Sequence, residues 1–242
     1  IAANLGSMAT PIGNPQNLYL CSAAGLTMAQ FARAVLPYAG LSLVLLLAVL
    51  LLQRDEPLGE ERPEEEGEAA PLSALAPYLL LLALCLLVVF RVVGFVPVLL
   101  CVAAVVLAVN RRLFRSVDYF LLLTFLCFFI FIGNLKRIPA LNDLLLSLVG
   151  GHELLAGILA SQVISNVPAA ILLSGFTQNF AALLTAVNLG GLGTLVASLA
   201  SLITFKFYAA QYPDHKGRFL RSFTLWNAAF LLLLTAAALL LG

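Results

Sequence analysis

The fold of this chain is constrained most by one polar segment, residues 161–174 (SQVISNVPAAILLS), which interrupts an otherwise apolar region. Its two apolar arms, residues 151–164 and 169–180, are each shorter than the roughly 20 residues that a helix needs to cross about 30 Å of hydrocarbon. Polar backbone groups at such a tip are costly in lipid, so they must be buried in protein or line a wet cavity. The segment therefore predicts a re-entrant helical hairpin over residues 151–180, a form in which binding sites are built within membranes.

Composition places the whole chain in the membrane class. Hydrophobic residues make up 62% of the 242 residues and charged residues only 10%, which a soluble domain does not show. Eight of the twelve acidic residues fall between Asp55 and Glu68, in a stretch rich in Pro and Gly that predicts a solvated linker. The four cysteines lack C-x-x-C spacing, so neither a metal centre nor a disulfide is expected. The sequence predicts an all-α polytopic membrane protein.

The apolar segments divide the chain into three parts. Residues 1–53 hold a broken helix and one span, residues 54–76 form the acidic linker, and residues 77–242 form the rest. The last part is expected to contain spans over 77–93, 95–110, 118–134 and 223–241, an interfacial helix over 138–149, the hairpin over 151–180 and a broken span over 181–208.

Charged residues predict an orientation in the membrane. Most of the Lys and Arg residues lie in loops that would share one side, which is then cytoplasmic and places the C-terminus outside the plasma membrane. No acidic residue stands at the centre of a predicted span. Asp118 and Glu153 lie at segment ends, where we expect solvent to cover both side chains.

An internal repeat links the two ends of the chain. Residues 4–17 (NLGSMATPIGNPQN) match residues 188–201 (NLGGLGTLVASLAS) in register, with Thr10 opposite Thr194. By the count of spans, one copy runs from inside to outside and the other copy runs back. The match therefore predicts an inverted repeat, in which two broken helices meet near the membrane midplane.

These segments also resemble a known family. AANLGSMATPIGNPQNLYL, SQVISNVPAAILLSGF and NLGGLGTLVASLASLI are similar to the signature segments of the ion transporter superfamily, in the citrate-transporter-like and arsenite-efflux-like branch related to divalent anion:sodium symporters. The resemblance implies an inverted-repeat, elevator-type transporter with re-entrant hairpins and broken helices, and it suggests a homodimer. It further implies that this chain holds the end of the first repeat and a complete second repeat, so that the first hairpin precedes Ile1.

The resemblance assigns the hairpin tip to the solute. In the sodium-coupled dicarboxylate relatives the tip reads Ser-Asn-Thr, which corresponds here to Ser165, Asn166 and Val167 and so lacks the last hydroxyl. Ser161, one helical turn earlier, matches a position whose oxygen helps to bind the cation.

Elementary chemistry points to the same ligands. A half-helix beginning at Pro168 directs its positive dipole end toward the tip, which favours an anion. Carbonyls freed at the facing break are hard oxygen donors, so a Na⁺ site is predicted at Ser161, Asn166 and Gly190. Helix capping is the alternative explanation for the Ser-Asn pair. The repeat adds the remaining candidate residues, which are Thr10, Asn14, Gly191 and Thr194.

The predicted function is secondary active transport of a small anion, a carboxylate or an inorganic oxyanion, coupled to Na⁺ or H⁺. An arsenite efflux permease or a Na⁺/H⁺ antiporter is the alternative, and a membrane scaffold that transports nothing is a more remote one. The sequence offers no nucleophile near a histidine and no cluster of metal ligands, so neither an enzyme nor a cofactor is expected.

Overall fold

The computed structural model describes residues 1–52, 71–135 and 137–241, and these ranges fold into helices, turns and loops without a strand. The chain is an all-α polytopic membrane protein, as its composition predicts. Residues 54–70 of the predicted acidic linker lie outside the described residues. The α-helices of the described part are, in chain order, α1 (Ala2–Ser7), α2 (Pro15–Ala24), α3 (Met28–Leu52), α4 (Leu72–Val89), α5 (Phe95–Asn110), α6 (Tyr119–Leu135), α7 (Pro139–Val149), α8 (Glu153–Ile164), α9 (Asn166–Leu173), α10 (Phe180–Leu189), α11 (Leu199–Gln211) and α12 (Lys216–Leu241).

Three helical segments of the described part are long and apolar enough to cross a membrane, namely Met28–Leu52, Phe95–Ser116 and Pro213–Leu241. Counting the bent pair Leu122–Leu135 and Pro139–Val149 as one span gives a fourth. Their large apolar side chains stay mostly exposed in the isolated chain. Such a surface suits contact with lipid tails rather than with water.

Two helices begin earlier than the hydropathy pattern indicates. α4 starts at Leu72 rather than at residue 77, so that Pro77 lies inside the helix and removes one backbone hydrogen bond there. α12 starts at Lys216 rather than at residue 223, because the intervening Lys, Arg and Leu residues are good helix formers although they are not apolar throughout. Hydropathy marks the part of a helix that suits lipid, and not its ends.

Contacts divide the chain into two units, and α4 and α5 belong to the one between Gln53 and Leu121. A tight turn joins these two helices, and Gly94 is the residue that precedes α5. The left-handed backbone conformation of the turn falls on Arg91, with φ = 59°, while Gly94 is extended.

The other unit is built around α10. All seven residues from Leu183 to Leu189 are buried. Apolar side chains of α2, α3 and α9 pack against the first part of α10, and those of α1 and α12 pack against its end. α10 is therefore the central helix of this unit, and its polar residues have to find partners within the protein.

Small residues let α8 approach α10 closely. A Cβ atom placed on Gly157 would lie only 2.5 Å from the Cβ of Ala186. Close backbone approach through small residues is a main source of helix association in membranes, where lipid tails remove the hydrophobic driving force. On its other side α10 is tied to α3 by a hydrogen bond, which the Thr185 hydroxyl donates to the Ala34 carbonyl (2.9 Å).

The expectation that solvent covers Glu153 is wrong. Its side chain is only 7% exposed, and its Oε1 accepts a hydrogen bond of 2.9 Å from the Thr177 hydroxyl. The sequence places Glu153 at a helix start, where carboxylates are common. It does not show that the connection after α9 returns over that helix start and supplies a hydroxyl.

We expect Gly157→Ala to lower the melting temperature of the full-length protein, because the new methyl group must displace Ala186. Overpacking of this kind costs about 1–3 kcal/mol. The matched control is Gly40→Ala in α3, where an added Cβ has nothing within 4 Å and helix propensity favours alanine. Equal melting temperatures for the two variants in the same detergent would contradict the close α8–α10 packing.

Candidate functional site

The polar tip predicted from the sequence lies between α8 and α9. Ser165 joins the two helices with φ = 73° and ψ = 153°, and in the described part only Arg91 shares such a positive φ without being glycine. The Ser165 N–H donates to the Ser161 carbonyl (3.1 Å), and the Ser165 carbonyl accepts from the Ala169 N–H (3.0 Å). This combination of φ and ψ is populated almost only by glycine, so a serine there costs on the order of 1–3 kcal/mol, and strain of this kind concentrates at functional sites.

The first turn of α9 presents free donors at this junction. The N–H groups of the first residues of a helix have no acceptor within that helix, and Pro168, its third residue, has no N–H at all. The Ser165 side chain does not cap the helix, because its hydroxyl is directed to the Ala197 carbonyl at a long 3.4 Å. The positive end of α9 is therefore left without a side-chain acceptor.

Two predicted side chains pack directly on the two glycines that end α10. A Cβ on Gly190 would lie 2.7 Å from the Ser161 Oγ, and one on Gly191 would lie 2.8 Å from the Asn166 Nδ2. Ser161 is fully buried, and its hydroxyl donates to the Gly157 carbonyl (2.7 Å). Only glycine leaves room for these contacts, so the tip and the break after α10 form one site.

Asn166 is the polar group of this site that has no partner. Its side chain is 5% exposed, and its amide makes no hydrogen bond within the described part of the chain. The fully buried side-chain atoms without a hydrogen bond in the described part are Gln16 Oε1, Asn227 Oδ1 and Thr235 Oγ1. The Asn166 amide atoms are not in this set and therefore keep some access to solvent. A polar group that is accessible and not bonded within the described protein is available to a ligand.

The break between α10 and α11 is held by Gln162. Its Nε2 donates to the carbonyls of Gly190 and Leu192, both at 2.9 Å. Its Oε1 accepts from the Thr194 backbone N–H at 2.8 Å, and the Thr194 hydroxyl donates to the Gln162 carbonyl at 3.1 Å. One side chain thus replaces three backbone hydrogen bonds that the unwound segment loses.

Asn17 does the same for the break between α1 and α2. Its Nδ2 donates to the carbonyls of Met8 (3.2 Å) and Thr10 (3.0 Å). Thr10 thus contributes its carbonyl to the network, while its side chain is exposed. Asn14 caps α2, since its Oδ1 accepts from the Asn17 N–H at 2.9 Å.

The two breaks are joined by reciprocal hydrogen bonds. Asn188 donates to the Asn17 Oδ1 (2.6 Å), and its own Oδ1 accepts from Asn14 (3.0 Å). In the same way Asn4 donates to the hydroxyls of Ser198 (2.8 Å) and Ser201 (3.3 Å). Residues 4, 14 and 17 match residues 188, 198 and 201 in the internal repeat. Each repeat copy therefore uses its first asparagine to bind the same two positions of the other copy.

The structure thus brings together most of the candidate residues. Ser161, Asn166, Gly190 and Gly191 lie in contact, Ser165 lies at the strained junction, and Asn14 joins the network from the opposite side. Val167 is partly buried, whereas the side chains of Thr10 and Thr194 are exposed. The Gly190 and Gly191 carbonyls, which the sequence analysis offers to Na⁺, accept N–H groups from Gln162 and Asn4 (2.9 and 3.0 Å).

Six members of the network were not among the predicted site residues: Gln162, Asn4, Asn17, Asn188, Ser198 and Ser201. All of them except Gln162, which belongs to α8, lie within the two repeat segments. The register of the repeat could have identified these residues of the repeat segments. A polar residue that bonds across the breaks in one copy predicts the same role for the residue at the matched position of the other copy.

Comparisons with known proteins identify relatives of this chain. A family model described as Citrate transporter matches residues 1–200. The chain is 35% identical over 209 residues to a protein of Methanocaldococcus jannaschii described as an uncharacterized transporter, and 38% identical over 213 residues to the inner membrane protein YbiR of Escherichia coli. Each match covers 85% of this chain but 56% of the relative, so the chain spans little more than half the length of these relatives. No solved structure matches the chain significantly.

We expect Asn17 and Asn188 to be energetically coupled. Each substitution by alanine leaves a buried partner group unpaired, so the double variant should lose less stability than the sum of the single variants, with a coupling of about 0.5–3 kcal/mol. A double-mutant cycle of unfolding free energies on the full-length protein measures this value. The control pair is Asn188 and Asn142, because Asn142 is partly exposed and its side chain bonds only the neighbouring Asp143 within the described part. Additivity in the Asn17–Asn188 cycle would contradict the network.

Proposed function

We propose, because the chain belongs to the citrate transporter family, that it forms part of a secondary active transporter. In this proposal the solute is a small anion, a carboxylate or an inorganic oxyanion, and its movement is coupled to Na⁺ or H⁺. The observation that carries the proposal is the Asn166 side chain, which is 5% exposed, makes no hydrogen bond within the described part of the chain, and lies at the strained junction of two half-helices and against Gly191.

The reciprocal hydrogen bonds support an inverted repeat. In a two-fold arrangement every contact between the copies occurs twice, with the roles of the two copies exchanged. Asn4 with Ser198 and Asn188 with Asn14 are such a pair of contacts. A two-fold axis in the membrane plane relates copies of opposite orientation, and binding sites of inverted-repeat transporters lie where the copies meet.

The chemistry of the tip favours an anion as solute. The unopposed positive end of α9 and the Asn166 Nδ2 are donors, and in the described part no acidic side chain touches them. A hydrogen bond from such a donor to an anion is strongest in a site from which water is excluded. Val167, where the dicarboxylate relatives have threonine, removes one possible donor, so fewer groups would bind the anion.

A Na⁺ site beside the anion would use neutral oxygens. The Asn166 Oδ1, the Ser161 hydroxyl and the Gly190 carbonyl are the proposed ligands, and the first two belong to side chains in contact with the glycines of the break. A carbonyl has two lone pairs, so the hydrogen bond from Gln162 to the Gly190 carbonyl leaves one for a cation.

Alternating access would require one part of the protein to move as a rigid body, and the hairpin helices with α10 share the core that such a movement needs. α8, α9, α10 and the break after α10 share buried apolar residues and the Gln162 hydrogen bonds. A unit packed in this way can move as a rigid body, which is the basis of the proposed elevator-like mechanism. The same packing makes sliding of α9 against α10 unfavourable, since the glycine contacts allow little space.

Uptake by proteoliposomes that contain the full-length protein tests the proposal. Labelled citrate, succinate and arsenite are supplied in turn, with and without inward Na⁺ and H⁺ gradients. We expect a carboxylate to accumulate against its gradient when one of the two cation gradients is imposed. Gradient-independent movement of arsenite would instead favour the efflux permease, and binding without transport of any solute would favour a scaffold.

We expect Asn166→Ala to reduce uptake by at least about tenfold, which corresponds to about 1.4 kcal/mol, while the melting temperature changes little. The reason is that the Asn166 amide has no partner to lose within the described protein. Asn142→Ala, which changes a partly exposed asparagine in α7, is the matched control. Undiminished uptake by the Asn166 variant would remove this residue from the site.

A further inference from the structure

We propose that a cavity at the opposite end of α8 is a second binding site, which takes a small carboxylate that also carries a hydroxyl group. The cavity has a volume of about 450 Å³, within the range of small-molecule sites. It is lined by residues 33–38 of α3, the starts of α8 and α10 and the end of α12. The choice of a carboxylate as ligand rests on the proposed function, and the cavity would be a second site beside the one at the tip.

The cavity is separate from the tip site. Its lining includes the first residues of α8, whereas Ser165 lies beyond the last residue of that helix. α8 has 12 residues and a rise of 1.5 Å for each, so the two sites lie roughly 18 Å apart along it. None of the residues that hydrogen-bond across the helix breaks lines the cavity.

The cavity attracts anions for two reasons. The first is that two helices begin at its wall, α8 after His152 and α10 after Asn179, and both direct positive dipole ends outward from their starts. One N–H of α10, that of Ala182, is already bound by the Asn179 side chain. His152 makes no side-chain cap to α8. The second reason is Arg33, which lines the same cavity and has no ion pair within the described residues.

A buried carboxylate on the same wall narrows the choice of ligand. The Glu153 side chain is 7% exposed, and only its Oε1 is bonded, to Thr177. Its Oε2 makes no hydrogen bond within the described part of the chain. A simple anion would be repelled by this carboxylate. A ligand that places a carboxylate at Arg33 and a hydroxyl donor at Glu153 satisfies both groups.

Helix stabilisation alone does not explain this arrangement. A carboxylate in the first turn of α8 interacts favourably with the helix dipole, and an exposed side chain would suffice for that purpose. Glu153 is instead buried beside a cavity that also contains an arginine, and the two are not paired. Arg33 is exposed at the same cavity, so its charge stays available to a ligand. A ligand that binds both side chains would give the carboxylate a second donor beside Thr177.

The walls of the cavity are fixed before any ligand arrives. The Thr185 hydroxyl donates to the Ala34 carbonyl, which ties α10 to α3 within the lining. Thr177 holds Glu153 and also accepts from the Asn179 N–H at 2.9 Å. Asn179 caps α10 with its Oδ1, which accepts from the Ala182 N–H at 3.1 Å. Binding then requires little ordering of the protein, which favours affinity.

The test is equilibrium binding of labelled citrate and labelled tricarballylate to the full-length protein in nanodiscs. Tricarballylate is citrate without its hydroxyl group. We expect two citrate components in the unaltered protein. Arg33→Ala and Glu153→Gln should both weaken the citrate affinity of the same component, each by at least about tenfold. The Glu153 variant should also abolish the preference of that component for citrate over tricarballylate.

Controls separate this site from the one at the tip. Asn166→Ala should remove only the other component. Failure of the proposed function would appear as absence of that component from the unaltered protein while the component that depends on Arg33 is kept. Arg137→Ala, an exposed arginine outside the cavity, is the matched control and should change neither component. Glu153→Gln keeps an oxygen for Thr177 and so preserves the fold. No component that depends on Arg33, or one that binds both ligands equally in the unaltered protein, would overturn the second site.

Discussion

The structure depends on one constraint, which is that a helix broken inside an apolar environment must find new partners for its backbone. Each unsatisfied N–H or C=O in hydrocarbon costs several kcal/mol. Here amide side chains supply the partners: Gln162 at the break after α10 and Asn17 at the break after α1. An amide carries two N–H donors and an acceptor oxygen on separate atoms, whereas a hydroxyl has a single donor hydrogen and a carboxylate only accepts. One amide can therefore bind several unwound backbone groups of both kinds.

This constraint also makes the two breaks interdependent. Asn188 hydrogen-bonds Asn17 at the break of the other repeat copy, and Asn4 hydrogen-bonds Ser198 at the break of the copy that contains Asn188. Neither break can rewind without leaving buried polar groups of the other unpaired. The two breaks therefore behave as one rigid element, and the strained Ser165 junction and the unpaired Asn166 lie beside it. A rigid scaffold around one unsatisfied group is how a binding site is prepared for a ligand.

Charge plays a restricted part in this protein. The network at the breaks consists of neutral amides and hydroxyls, and Glu153 is the single buried acidic side chain of the described part. A membrane protein that binds ions with neutral groups avoids the cost of placing a charge in the hydrocarbon region. The buried carboxylate lies instead at a helix start, where the helix dipole stabilises it, and an exposed arginine lines the same cavity.

The sequence by itself determined the class of the protein. It also marked three segments that are long and apolar enough to cross a membrane, and the residues at which helices break. Apolar runs, Gly and Pro act locally, so they can be read along the chain. The register of the repeat also pointed to Asn14 and Thr194, and would have pointed to Asn188 and Ser201. The inverted arrangement of the two copies, the orientation in the membrane and the bound ions stay predictions.

Only the tertiary structure decided how the polar groups pair. Gln162 holds carbonyls 28 and 30 residues away, and Asn4 reaches Ser198 across 194 residues. It also decided that the Thr10 hydroxyl remains outside the network and that Glu153 is buried under Thr177. The physical reason is that a hydrogen bond needs two atoms within about 3 Å. Sequence states which donors and acceptors exist, and packing of distant segments determines which of them meet.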